Sequence, residues 1–371
     1  MQSTAKLPPG SVQQNGVDGL KVLTSLLILA ATAFFLWWGF LFLRDAAANG
    51  INPIVTMLFA IAWGVGGVGL IFLGLNRLIE SFPDSVRSIV QPFIFIGPAA
   101  AILIWFMFIP TLRTAYLSVF DADSQNFVGL QNFGAVFTDR QMRTAFGNNL
   151  LWMIVGTSLC VTLGLFIAVL ADRSRFERVA KSLIFMPMAI SFVGAAVIWR
   201  FVYYYSPAGQ EQIGLLNSII TSFGFEPQTW VVLQPWNVFF LIVILVWMQT
   251  GYAMVIFSAA LKGVPEDLLE AGRIDGASEP NIFFSIIIPY IKGTILTVTT
   301  TILIFTLKIF DVIMAMTGGQ YGTEVIATQF YRQFFINRNF GYGSAIAIVL
   351  LIAVVPIMVY NLRQLGKQEA F

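Results

Sequence analysis

The chain has 371 residues, 57% of them hydrophobic and only 11% charged, with a formal net charge of +2 and a mean hydropathy of +0.80. A soluble domain carries about a quarter charged residues, so this composition requires lipid as solvent, and the near-neutral charge gives no reason to expect a nucleic-acid partner. There is no His and a single Cys, Cys160, which excludes an intrachain disulfide, a Cys/His zinc site and catalysis by Ser/His/Asp or Cys/His.

In chain order, Met1 to Asp18 is polar and rich in Gln, Pro and Gly. It lacks the apolar core and cleavage site of a signal peptide and reads as a disordered cytoplasmic tail over 1–17. Eight apolar runs follow, at about 21–43, 54–75, 90–111, 147–171, 180–204, 236–260, 291–313 and 343–362. Each is long enough to cross a bilayer, and in lipid each must be helical. The second contains Gly64, Gly66, Gly67 and Gly69. With no strand before it, this G-x-G-x-x-G string reads as a helix-packing surface and not a phosphate loop. No G-x-x-x-x-G-K-[ST] occurs, so the chain does not hydrolyse ATP by itself.

With the N-terminus inside, thirteen Lys and Arg fall in inside segments and seven in outside segments, with Lys308 within a span. The bias supports both termini in the cytoplasm. The densest cluster, Arg173, Arg175, Arg178 and Lys181, lies in a short inside loop. Of the outside segments, 114–145 predicts an interfacial helix around Asn132 to Phe146. Trp230 and Trp236 flank the end of 205–235, and Thr317-Gly318-Gly319 marks a turn in 314–342.

The most informative stretch is the inside loop 262–290. Pro265, Glu266 and Asp267 form a helix start, because Pro fits the first turn and acids favour the positive end of the dipole. Leu268, Leu269, Ala271 and Gly272 give that helix a small apolar face. Gly276 permits a sharp turn with Asp275 beside it as a cap, and a second helix from Pro280 to Ile288 leads to Pro289 and the next span. A short surface helix with such a face suits docking into a groove of another protein.

These residues resemble a known family. Glu270-Ala271-Gly272, Asp275-Gly276-Ala277 and Pro289 look like the EAA motif of ABC importer permeases, with Gly272 where the family usually has a second Ala. Gly weakens a helix by about 1 kcal/mol relative to Ala. The likeness extends over about 90–362 to the sugar branch typified by the larger maltose-type permease subunit. It is carried by Phe127-Val128-Gly129-Leu130-Gln131-Asn132-Phe133, Phe185-Met186-Pro187, Trp199-Arg200, Phe310-Asp311 and Thr317-Gly318-Gly319. Gln320 stands where that branch often has Pro.

The resemblance implies an all-α integral membrane fold of eight transmembrane helices. Two accessory helices, 18–85, would precede a type I six-helix core, 86–371. It implies a partner set of a second permease, two ATPase subunits that bind the ATP and Mg, and an extracytoplasmic solute-binding protein. The chain itself is expected to hold no cofactor. The implied solute is a sugar, polyol or glycosylated polyol, such as a glucosylglycerol-type osmolyte. The loop, through Glu270, Ala271, Gly272, Asp275 and Gly276, would couple the chain to the ATPase.

Several residues are placed for the solute path. Lys308 and Asp311, three apart, share a helix face; they either pair with each other or sit at the interface near the outside end, or they line the path or its gate. Ser191, Gln249, Tyr252 and Thr306 fall near the sugar-contacting region of the branch, and Asn149 opens the fourth span. These supply hydroxyl, amide and aromatic groups for a sugar; interhelical hydrogen bonding is the alternative for each. An ion-driven secondary transporter and a membrane-embedded glycosyltransferase remain as rivals. The first would show more intramembrane acids than Asp311, and the second clustered carboxylates or a metal site.

Overall fold

A backbone surrounded by hydrocarbon has to pair its own N–H and C=O groups, and the chain does so with helices. The computed structural model describes residues 17–207 and 209–368. Among these every regular element is helical, apart from an isolated bridge between Phe120 and Phe127. The tail expected at 1–17 lies, up to position 16, outside the described residues.

Two compact units are formed, with their boundary between Thr111 and Leu112. The first contains α1 (Gly19–Asp45) and α2 (Pro53–Ile79), a hairpin. Asn52 caps α2, its side chain accepting from the Ile54 N–H at 2.9 Å. The packing surface between α1 and α2 uses only one glycine of the string read from sequence. Gly67 sits under Leu36 and Gly74 under Leu29, whereas Gly64, Gly66 and Gly69 have nothing near them. The 3.6-residue period of the helix turns those three away from α1.

The boundary falls within α3 (Asp84–Leu117), which is longer than the run at 90–111. Then come α4 (Gln131–Thr138) and α5 (Arg140–Asp172). The interfacial helix expected over Asn132 to Phe146 is therefore split. Asp139 is extended and accepts from the N–H groups of Gln141 and Met142, so it ends α4 and starts the spanning helix.

The fifth run is bent by 104° between α6 (Glu177–Ala189) and α7 (Phe192–Val202). Pro187 tightens the end of α6, Ile190 is extended, and the Ser191 hydroxyl restarts the helix by accepting from the Gly194 N–H at 3.0 Å. A short helix α8 (Leu215–Ser222) and the long α9 (Asn237–Lys262) follow. In α9, 56% of the spanning window is buried, against 28% in α5, so α9 is the axis of the core. Leu241, Leu245, Met254 and Phe257 of α9 pack with Trp152 and Cys160 of α5.

After α9 come α10 (Glu266–Ile274), α11 (Glu279–Tyr290) and α12 (Lys292–Leu307), with a 68° bend between α11 and α12. The seventh run, 291–313, is not one helix. It stops at Leu307 and resumes as α13 (Asp311–Met316). Lys308 and Asp311 therefore do not share a helix face; they stand on either side of a break. The chain ends in α14 (Ile326–Tyr331) and α15 (Phe340–Gln368). Among the described residues, six helices are long and apolar enough to cross a membrane, or up to eight if each bent pair counts as one crossing.

Candidate functional site

The loop after α9 is built from local chemistry. Pro265 precedes α10, Glu266 and Asp267 occupy its first turn, and Val264 is buried beneath. The helix ends in a Schellman motif: the Ala277 N–H donates to the Gly272 carbonyl, the Gly276 N–H donates to the Arg273 carbonyl, and Gly276 has φ +81°. Asp275 is the cap residue. Arg273 Nε pairs with Glu279 Oε1 at 2.9 Å, which ties α10 to α11 and holds the Arg273 guanidinium above its ordinary range.

The two faces of α10 differ. Gly272 is buried, and a Cβ there would lie 2.8 Å from Ile286 Cδ1 and 3.4 Å from Ile282 Cγ1. The small residue thus seats α10 on α11 of its own chain. The outward face carries Leu268, Ala271 and Ile274 at helical spacing, with Glu270 and Asp275 also exposed. Ile274 is 85% exposed, an apolar side chain at the tip of a polar loop that the sequence reading did not single out.

At the root of this loop, charged groups join three helix ends. Lys181 Nζ lies 2.5 Å from Asp172 Oδ1 and 2.6 Å from Glu177 Oε1. Lys262, the last residue of α9, also pairs with Glu177, and the Ser258 hydroxyl donates to Asp172 Oδ1 at 2.7 Å. The network staples α5, α6 and α9 where the loop begins. It draws on Lys181 of the basic cluster noticed in the sequence, but its partners are visible only in three dimensions.

A second region lies at the two breaks. Phe192, Phe305, Lys308, Ile309, Phe310 and Asp311 line a cleft of about 260 Å³, with Ser191 exposed beside Phe192. Lys308 and Asp311 are both exposed and no ion pair joins them. The rings of Phe192 and Phe305 are 5.7 Å apart. The second halves of the broken spans, α7 and α13, pack together, and Arg200 donates to the Ala315 carbonyl. Irregular backbone at membrane depth is tolerated where it is buried in protein or lines a cavity.

The other residues read for the path are placed differently. Asn149 Nδ2 donates to the Leu307 carbonyl at 3.0 Å, and its Oδ1 accepts from the Ile326 N–H at 2.8 Å. Thr306 is fully buried and donates to Leu303 O. Gln249 is 6% exposed and its amide makes no hydrogen bond to any described residue; Tyr252 is half-buried one turn along. Neighbouring Asn148, which the sequence reading missed, donates to the Gly322 and Glu324 carbonyls, both at 2.8 Å. It helps fix the turn where Gly318 and Gly319 take positive φ. The Gln320 N–H donates there to Thr317 O at 3.1 Å, a bond that Pro at this position would forgo.

A helical core broken in two places, with an exposed apolar face on the loop before one broken span, fits the membrane component of a transporter. Residues 160–365 match the family described as binding-protein-dependent transport system inner membrane component. The chain is 54% identical over 275 residues to the osmoprotective compounds uptake permease protein GgtC of Synechocystis sp., covering 74% of this chain and 99% of that one. It is 49% identical over 285 residues to the alpha-glucoside transport system permease protein AglF of Rhizobium meliloti, covering 76% and 85%. Its fold matches a chain of a bacterial alginate ABC transporter, solved with an alginate pentasaccharide-bound periplasmic protein. That match has a TM-score of 0.63 at 20% identity and covers 75% of this chain and 94% of that one.

The chain belongs to the family of binding-protein-dependent ABC importer permeases. It is a multi-pass inner-membrane transport component and not an enzyme, which sets aside the ion-driven and transferase readings.

Proposed function

We propose that this permease imports a neutral sugar-like solute, a glycosylated polyol or α-glucoside, and that α10 couples it to an ATPase subunit. The observation that carries the coupling role is the outward apolar stripe Leu268, Ala271 and Ile274 on a helix clamped to its own chain through Gly272. A face so exposed in a water-facing loop calls for a partner. Glu270 and Asp275 flank it and would meet basic groups of the ATPase, which binds the ATP and Mg.

The Lys and Arg bias supports both termini in the cytoplasm. Residues 18–85 act as two accessory helices that precede a core of 86–371 in the chain, and a second permease completes the path. A binding protein delivers solute to the outer face, and nucleotide-driven motion of α10 reaches α5, α6 and α9 through the Lys181 network. The names of GgtC and AglF support the solute class. So does the cleft, where aromatic faces of Phe192, Phe305 and Phe310 surround one Lys and one Asp without an Arg cluster. Ser191 adds a hydroxyl beside it, while Gln249 and Tyr252, on α9 and outside that lining, offer an unspent amide and a phenol.

The test is solute-stimulated ATPase activity of the assembled complex carrying Ile274→Asp or Glu270→Ala. Loss of stimulation with intact assembly is expected. Full stimulation in both variants overturns the coupling role. Competition of transport by glucosylglycerol, α-glucosides and sugar phosphates then tests the solute class; dominance of a sugar phosphate would overturn it.

A further inference from the structure

Helix α8 is built with its polarity inverted relative to a helix that meets water. Its polar side faces the protein. Asn217 is fully buried, donates to the Tyr204 and Gln228 carbonyls at 2.9 and 3.0 Å, and accepts from the Gln228 N–H and the Trp230 indole. Ser218 donates to the Gln212 carbonyl, and the Gln212 amide exchanges hydrogen bonds with both backbone groups of Ser206. The apolar side faces away: Ile213, Leu215, Ile219, Phe223 and Phe225 are all exposed, Phe223 to 76%. No charged residue occurs between Glu211 and Glu226.

Its position in depth is fixed by the same contacts. Tyr204, whose carbonyl Asn217 grips, is two residues past the end of α7, and Trp230 stands seven residues before the start of α9. The helix therefore lies at the level where two membrane helices end. Tyr204 and Tyr205, just after α7, and Trp236, just before α9, are exposed, and they are residue types that favour the water–lipid interface.

We infer that α8 lies in the membrane interface, with Ile213, Leu215, Ile219, Phe223 and Phe225 inserted among lipid headgroups and acyl chains. A large uncharged apolar face on a short helix beside span ends fits a lipid surface. A surface that docks and releases a protein on each cycle would instead carry a polar rim. The inference holds for either orientation of the chain. Through Asn217 and Trp230, the anchored helix would fix the depth of the ends of α7 and α9 while their other ends move.

The test uses nitroxide labels at Ile219→Cys, Phe223→Cys and the flanking controls Gln210→Cys and Glu226→Cys. The assembled importer is placed in vesicles of phosphatidylethanolamine and phosphatidylglycerol. Buried Cys160 is shielded from the label, and retained solute-stimulated ATPase activity verifies each variant's fold. The ratio of collisions with oxygen to collisions with a water-soluble nickel chelate should be several-fold higher at 219 and 223 than at 210 and 226. Equal ratios at all four positions would overturn the inference. So would free access of the chelate to 219 and 223 that is lost only when the solute-binding protein is added, since that identifies a protein-docking face.

Discussion

The side-chain amide of Asn149 donates to the backbone carbonyl of Leu307 at 3.0 Å, at the residue where α12 stops. Its oxygen accepts from the N–H of Ile326, the first residue of α14. One buried side chain thus pairs two backbone groups that a continuous helix would have paired itself.

Asn149→Ala should therefore destabilise the chain by about 3 kcal/mol, since it leaves a buried carbonyl and a buried N–H unpartnered. Asn149→Asp keeps the acceptor for Ile326 but buries a carboxylate with one oxygen against the Leu307 carbonyl, so it should destabilise at least as much as alanine. Thermal unfolding of the detergent-purified complex, followed by tryptophan fluorescence, ranks the three. An alanine variant that melts with the parent would remove Asn149 from this role.

Gly272 gives a prediction with opposite signs for two substitutions. Alanine needs only the far end of Ile286 to move, because the clash is with its Cδ1 at 2.8 Å, and it gains about 1 kcal/mol of helix propensity. Gly272→Ala should assemble and couple normally. Leucine cannot be housed and should lever α10 off α11, leaving basal ATPase activity but little stimulation by solute. Equal stimulation in the leucine variant would show that the seating of α10 does not matter.

How much of this was legible in the sequence depended on how local the cause is. The loop 262–290 was readable because Pro265, the acids at 266 and 267, and Gly276 act within one turn of themselves. The spans were readable because lipid imposes one solution on any long apolar run. The break after Leu307 was not, for Leu307-Lys308-Ile309-Phe310 contains no Gly or Pro, and the group that stabilises it comes from 158 residues away. The bend at Ser191 had a local sign in Pro187, yet hydropathy ran through it. The inward direction of Gly272 is set by Ile282 and Ile286, whose position follows from the turn and not from the period of α10.

The two ion-pair systems near the loop should differ in weight. Lys181 and Asp172 expose only 18% and 15% of their side chains, so Lys181→Met leaves Asp172 largely buried without its cation, a loss on the order of 3 kcal/mol. Arg273 and Glu279 are more than half exposed, and Arg273→Ala should cost far less, because solvent screens the pair. Melting temperatures of the two variants, at low and high salt, decide this. If Arg273→Ala proves the more damaging, the staple is not where the stability lies.

The cleft at the breaks makes the last prediction. Lys308 and Asp311 face it without pairing, so each is free to bond a hydroxyl of the solute. A charge-assisted hydrogen bond is worth about 1.5 kcal/mol, which is about tenfold in binding. Lys308→Met and Asp311→Asn should each raise the apparent KM for solute by about that factor, with assembly and melting temperature little changed. Because the two charges are not partners, the exchange Lys308→Asp with Asp311→Lys should rescue neither. If the exchanged pair instead transports like the parent, the two residues act through each other, and the solute is bound elsewhere, with Gln249 and Tyr252 the next residues to vary.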